Sequence, residues 1–465
     1  MRTFLLLMIL AWHLSAAERP NIIVILVDDM GYSGLGCFGN RHVATPHIDR
    51  LASQGVKLTQ LCVTPQCTPT RASLLTGQHT ARLGMWHVPG YHYPHARLTE
   101  PVYVDGLPRG TPTIANELRR AGYRTGCIGK WHLHHGGDGN YAGITSDAAT
   151  HYGFDEVHRV DHSKDSDKGV AGLTDEAIAF IERQQQPFFL YLSHYTVHTP
   201  VKASTTAIAR YVERGYPLAG PDGNEGRDNA TYLAMIDELD QHTGRLLATL
   251  DRLQLSDHTL VIFLSDNGGV LRVTDNGPFR WGKGSPYEGG LRVPMIARWP
   301  GHIPAGTLNA SPIHVTDIMP TILAAAKVPV PTNHSMDGIN VLNAWTTAQA
   351  TPERDLFFFL PHYEPSWGST PNAVIRHGQW KLIEFFGDSI DLDHHSEYRL
   401  GGRVELYDLT ADIGERTNLI EQHPERAAAM RQRLHTWITE MGRTIPINNP
   451  QYDASDPLRL ERIKK

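Results

Sequence analysis

The sequence predicts an α/β fold: a large mixed, mostly parallel sheet sandwiched by helices, plus a smaller C-terminal antiparallel sheet with one helix. Three observations predict it. Residues 21–27 (NIIVILV) form a continuous β-branched run without alternation, as expected of a central strand buried on both faces. Runs at 259–264 and 188–192 repeat that character, with helical patterns between them. After about residue 350 the pattern changes to apolar runs joined by short turns.

The first strand, 21–27, ends in Asp28-Asp29, and a shorter one, 124–129, ends in Lys130-Trp131-His132. The run 188–192 leads into Ser193-His194 and then His198-Thr199-Pro200, and 259–264 leads into Ser265-Asp266-Asn267-Gly268-Gly269. Helices are expected over 113–121, 173–184 and 229–253. Ligands of open α/β sheets bind beyond the carboxyl ends of the strands. The polar residues after all four runs therefore fall at one edge of one sheet. In the C-terminal part, 356–359, 373–376, 380–383 and 405–409 read as strands, followed by a helix over 424–441. The tail, 448–465, is weakly patterned and is expected to wrap the surface or to be mobile. The division expected is a leader at 1–17, a main α/β domain at 18–350 and a smaller α+β subdomain at 351–465.

The chain's 465 residues suffice for such a core. A formal charge of -6 with no basic stripe argues against nucleic acid as a partner, although a local cationic pocket can still take an anionic substrate. Arg2, the apolar stretch 4–14 and Ser15-Ala16-Ala17 read as a secretory signal peptide, so the expected location is exported, periplasmic or secreted. No other segment is apolar for long enough to span a membrane. Four cysteines make no disulfide framework and show no zinc spacing. The 26 histidines suit metal or acid/base roles without proving one.

Residues 67–77 (CTPTRASLLTG) carry the most chemistry. Pro69 marks a helix start and Gly77 its end, placing Cys67 just before the first turn, where unpaired N–H groups favour an anion. Arg71, four residues on, can reach the space beside the sulfur. Asp28, Asp29, Asp266 and Asn267 offer oxygen ligands only, which suit Ca²⁺ or Mg²⁺, and carboxylates so crowded would repel one another without a cation.

The Cys-x-Pro-Thr-Arg run with its following Leu-Thr-Gly resembles the signature of the formylglycine-dependent sulfatase family, arylsulfatase-like members of the alkaline phosphatase superfamily. The likeness extends over 20–23, 44–52, 287–294, 405–409 and 418–419; Thr70 stands where Ser is commoner. It implies that Cys67 is oxidised to formylglycine by a maturation enzyme. It also implies that Asp28, Asp29, Asp266 and Asn267, with residue 67, bind a divalent cation, usually Ca²⁺. Lys130 and Lys283 resemble the family's sulfate-binding lysines, with Lys283 in a Gly-rich loop where backbone can approach a ligand closely. Lys130 and His132 are expected on one side of an extended segment.

By the same resemblance His198 is the leaving-group acid, with His194 as competitor, and His132 assists collapse of the sulfated intermediate. His42, His79, His87, His394 and His395 read as ordinary surface or hydrogen-bonded residues, and His134 and His135 as either a substrate-contacting pair or plain surface. The implied activity is sulfate removal from a sulfated polysaccharide or oligosaccharide. The alternatives are a phosphoester or phosphonate hydrolase of the same superfamily, or a non-catalytic sulfated-glycan-binding protein in which Cys67 stays a thiol. Pocket-forming insertions are expected at 85–109, 134–167 and 363–370.

Overall fold

The computed structural model describes residues 19–89, 91–133, 146–160, 166–220, 223, 226–347, 349–391, 397–456, 458–459 and 461–462. The expected leader, and His134, His135, His394 and His395, lie outside the described residues. No helix among the described residues is long and apolar enough to cross a membrane.

The elements that place the site are, in chain order, β1 (Asn21–Val27), α1 (Pro46–Ser53), β2 (Val56–Cys62), α2 (Cys67–Thr76), α3 (Ile114–Arg120), β3 (Arg124–Gly129), β4 (Glu156–His158), α4 (Val170–Glu182), β5 (Phe188–Ser193), α5 (Ala230–Arg252), β6 (Thr259–Ser265), β7 (Arg292–Arg298), β8 (Thr307–Asn309), β9 (Ile313–His314) and α6 (Ile318–Ala325). They build a nine-stranded sheet in the order β9-β2-β7-β6-β1-β5-β3-β4, with β8 also on β2. β1 sits parallel between β5 and β6, in register Ile25 with Leu192 and Phe263. Its side chains alternate between two cores. Ile22, Val24 and Leu26 pack toward α2, α3 and α6, and Ile23, Ile25 and Val27 toward α1, α4 and α5. Burial on both faces is why β1 reads as an unbroken apolar run.

Two central strands escape the sequence reading. β7 runs antiparallel to both β2 and β6, and Pro294 within it argues against a central strand. The structure accommodates Pro294 at a break in both ladders. Pairing with β6 stops at Leu264–Met295, and pairing with β2 shifts register between Leu58 and Leu61. The missing N–H therefore costs no ladder bond.

The C-terminal part is an antiparallel sheet of β10 (Asp355–Leu360), β11 (Asn372–His377), β12 (Trp380–Phe385) and β13 (Arg403–Asp408), followed by α7 (Pro424–Glu440). One face packs on α7 through Phe359, Ile375, Leu382 and Leu434. The other packs on Cys62, Tyr287 and Leu291 beside the large sheet. The tail does wrap the surface. Asn449 Nδ2 donates to the Pro94 and Ala96 carbonyls at 2.8 Å, and its N–H to Arg97 O at 2.8 Å.

A buried ion cluster joins the two sheets. Lys381 of β12 donates to Glu288 Oε1 at 3.0 Å and pairs with Glu415 Oε1 at 2.8 Å, and Glu288 also faces Arg376 and Arg292 at 3.5 and 3.6 Å. Replacing Lys381 with Met leaves two buried carboxylates facing one another with weaker compensation. The expected loss is roughly 3–5 kcal/mol of unfolding free energy by urea denaturation. A loss below about 1 kcal/mol would mean that the arginines suffice.

Candidate active site

The polar residues after β1, β3, β5 and β6 meet at the carboxyl edge of the sheet, and backbone bonds carry the ladder past the strand ends. Asp28 N–H donates to Thr196 O at 2.9 Å, Lys130 N–H to Ser193 O at 2.8 Å, and Asp266 N–H to Val27 O at 3.0 Å. Asp29 and His132 adopt φ of 63° and 60°, the left-handed region that non-glycine residues rarely occupy. His132 thus turns the chain, so Lys130 and His132 do not share one side of an extended segment as expected. Lys130 is buried and His132 half-buried, and both face the same charged cluster.

α2 starts two residues before Pro69. Gln66 is the N-cap, Cys67 the first helical residue, and Gly77 (φ 66°) closes the helix. Proline is tolerated anywhere in a first turn, because those N–H groups have no helical partner. Cys67 is 1% exposed, and its Sγ lies with carboxylate oxygens of Asp28 and Asp266 in a group whose atoms are all within 4.8 Å of one another. Burial pushes the Cys67 thiol up, against the pull of Lys130 and Lys283, so as encoded it is a protonated and weak nucleophile.

Arg71, 0% exposed, ties the edge together. Nη2 and Nε donate to Asp266 Oδ2 at 2.6 and 3.1 Å, and Nη1 donates to Lys130 O at 3.2 Å and to Ser193 Oγ. Lys130 Nζ donates to Asp28 Oδ2 at 2.6 Å, and Lys283 Nζ to Asp29 Oδ2 at 2.9 Å. Burial pushes both Asp28 and Asp29 up, but the facing cations outweigh it, with Lys130 holding Asp28 well below the carboxylate range and Lys283 lowering Asp29. Asp266 goes the other way. Burial and the neighbouring Asp28 charge push it to about 7 despite Arg71. An acid held so high is one that a further cation would stabilise as the anion.

The donor set fits a hard divalent cation. Asp28 Oδ1 and Asn267 Oδ1 are buried and accept no hydrogen bond, while Asn267 Nδ2 is committed to Asp29 Oδ1 at 2.8 Å. Two orphaned oxygens beside three carboxylates and no nitrogen ligand suit Ca²⁺ or Mg²⁺.

His198 Nε2 lies 3.7 Å from Asp29 Oδ2, and its Nδ1–H donates to the Thr199 carbonyl. Burial and then Lys283 lower it to about 4. His194 points elsewhere: it is buried and its charged neighbour is His242 of α5, so of the two only His198 joins the cluster. His87, expected as an ordinary surface or hydrogen-bonded histidine, is buried; its Nδ1 bonds to Val88 O at 2.7 Å and its ring stacks on His362 at 4.7 Å. The glycines around Lys283 permit close backbone packing. A Cβ on Gly282 would lie 2.2 Å from Gly269 O, and one on Gly268 would lie 1.7 Å from Gly289 O.

The sequence reading missed Ser193 and Lys168. Lys168 is buried and donates to the His198 and Pro200 carbonyls at 2.6 and 2.7 Å, bracing the loop that carries His198. A single lysine in a polar stretch gives no signal of that role. The four cysteines are free thiols, in keeping with the absence of a disulfide framework.

The sulfatase family profile matches residues 20–328, and one described as N-sulphoglucosamine sulphohydrolase, C-terminal, matches 277–443. The chain is a sulfatase. It is 32% identical to human (Homo sapiens) arylsulfatase A over 474 residues, covering 89% of this chain and 86% of that protein. It is 33% identical to N-acetylgalactosamine-6-sulfatase of Canis lupus familiaris, covering 97% and 92%. Among solved structures, Ps i-CgsB in complex with k-i-k-neocarrahexaose superposes with a TM-score of 0.73 at 25% identity, covering 94% of this chain and 96% of that one. A Bacteroides thetaiotaomicron structure from a study of the metabolism of multiple glycosaminoglycans gives 0.73 at 28%, covering 91% and 100%.

The sulfatase folds with several histidines neutral, which sets its acid sensitivity. Burial lowers His87 to about 4 and His194 to about 3, against an unfolded value near 6.5. The unfolded chain therefore binds more protons below pH 6.5, and stability falls as pH drops toward 4. Between pH 7 and 5 each such histidine should cost roughly 1.5–2 kcal/mol, read as a lower urea midpoint. His194→Asn should flatten that slope; an unchanged slope would remove His194 from the account.

Proposed function

We propose that this sulfatase is exported and hydrolyses sulfate monoesters of a carbohydrate, with residue 67 oxidised to formylglycine and a divalent cation held by Asp28, Asp29, Asp266 and Asn267. The observation that carries the reading is Cys67 at a helix start, buried among Asp28, Asp266 and Lys130, with a thiol too high in pKa to attack as encoded. The sulfated-carbohydrate class is supported by the relatives: one is named for N-acetylgalactosamine 6-sulfate, and one solved neighbour carries a neocarrahexaose.

Formylglycine would supply a hydrated aldehyde as nucleophile, and the cation would act as a Lewis acid toward a sulfate oxygen. The encoded side chains do the rest. Arg71 holds Asp266 and orients residue 67, four positions back on the same helix face. Lys130 and Lys283 stand over the acid pair, where charge on the transferring sulfuryl oxygens is met by fixed cations at low dielectric. His198 has its Nδ1–H tied to Thr199 O, leaving Nε2 toward the site for the proton of the departing alcohol. A bound anionic ester opposes the Lys283 charge and raises His198 toward the protonated form that this role needs. His132, neutral because burial and Lys130 lower it, is placed to take a proton as sulfate leaves.

Lys130→Ala and Lys283→Ala should each lose roughly 2–4 kcal/mol of transition-state stabilisation in kcat/KM for sulfate release. Turnover near wild type in either variant removes that lysine from the site. The deciding experiment expresses the chain with a formylglycine-generating enzyme, reads residue 67 by peptide mass spectrometry and screens defined sulfated saccharides. Aldehyde at residue 67 with sulfate release that Cys67→Ser abolishes and chelation reduces is the expected result. Full activity from the unconverted thiol would overturn the formylglycine assignment, and activity on phosphate esters alone would overturn the sulfate ester.

A further inference from the structure

The turn between β10 and β11 reaches from the C-terminal sheet to the mouth of the cluster. Glu364 and Ser369 bond across its tip, N–H to O at 2.8 and 3.0 Å. The Trp367 ring centre lies 5.4 Å from Lys283 Nζ, and a Cβ on Gly284 would be 2.2 Å from Trp367 Cβ. Gly284 N–H in turn donates to Pro65 O at 2.7 Å. Pro65-Gln66-Cys67, Lys283-Gly284 and the hairpin tip are thus mutual neighbours. The Gln66 side chain faces the Glu364 carboxyl, and with its Oε1 committed to Val88 N–H at 3.0 Å it turns its NH₂ toward Glu364. A second acid lies behind: Glu100 accepts from Tyr363 N–H at 2.7 Å and Tyr93 N–H at 3.1 Å.

The chemistry above gives Glu364 no role. The sulfate is met by Lys130 and Lys283, and a carboxylate beside them opposes an anion. We propose that Glu364 is a specificity-determining residue: it accepts hydrogen bonds from hydroxyl or amide N–H groups beside the reacting sulfate and rejects esters with a second sulfate or a carboxylate there. The same carboxylate supplies both the attraction and the repulsion. Burial and Glu100 push Glu364 up to about 7, with Gln66 and Lys283 drawing it down, so at pH 8 it carries its charge. This inference rests on the proposed carbohydrate reading, in which the alcohol leaving the sulfate carries neighbouring hydroxyls.

The test is a selectivity ratio at pH 8, kcat/KM for a hydroxyl-bearing ester over that for the same ester with a second sulfate at the hydroxyl. It is measured on a mono- and disulfated saccharide pair and on an aryl pair, a catechol-type monosulfate and its disulfate. Wild type should favour the monosulfate in each pair, and E364Q and E364A should each lower the ratio at least tenfold. Thermal melting checks the fold of E364Q, an isosteric change at a partly exposed position. Ratios within twofold of wild type in both variants overturn the proposal. A wild type active on the aryl pair but on no saccharide refutes the carbohydrate reading, and the aryl ratio still decides the role of Glu364.

Discussion

Three carboxylates buried at one edge of one sheet are the constraint on which the rest of this structure depends. Asp28, Asp29 and Asp266 are each about 1% exposed or less, and burial alone would drive all three toward the neutral acid. Three cations from separate elements oppose that: Arg71 from α2, Lys130 after β3, and Lys283 from the Gly-rich loop. None of these pairs is near in sequence, so the charge balance exists only when the strands stand in their observed order. A balance of three against three would leave the charge of a divalent cation bound there uncompensated, which is the condition for drawing in an anionic ester.

The smaller sheet takes part in that balance. Lys283 precedes Glu288 in one loop, and Glu288 is held by Lys381 and Arg376 from the antiparallel sheet. The interface is therefore an ion cluster surrounded by apolar contacts of Tyr287, Leu291, Val374 and Ile383. Charges so buried contribute little net stability over a hydrophobic core, yet they fix one relative arrangement because any other leaves a bare charge. The same sheet sends the Glu364 turn toward Lys283 and Gln66, so the part that braces the Lys283 loop also forms a wall beside it.

Legibility in the sequence followed burial pattern. β1, β5 and β6 were readable because burial on both faces demands unbroken apolar runs, and α5 because its caps and amphipathic period agree. β7 was hidden by Pro294, which is harmless only because two ladders happen to break there. Arg71 and Cys67 were legible from their motif, whereas Ser193, Lys168 and Glu364 were not. Each acts through a carbonyl, a hydroxyl or a neighbour far away in the chain, and such partners leave no local pattern.

The sequence by itself determined the family-level chemistry, the strands that carry it, and the edge at which their polar ends gather. Those follow from local periodicity and from side-chain types that only certain reactions need. Tertiary structure alone decided which charges pair, that His198 rather than His194 faces Asp29, and that His132 arrives through a left-handed turn. It also decided that the Cys67 thiol sits too deeply buried to ionise readily. The physical reason is that pairing energies and desolvation depend on distance and burial in space, which residues remote along the chain settle together.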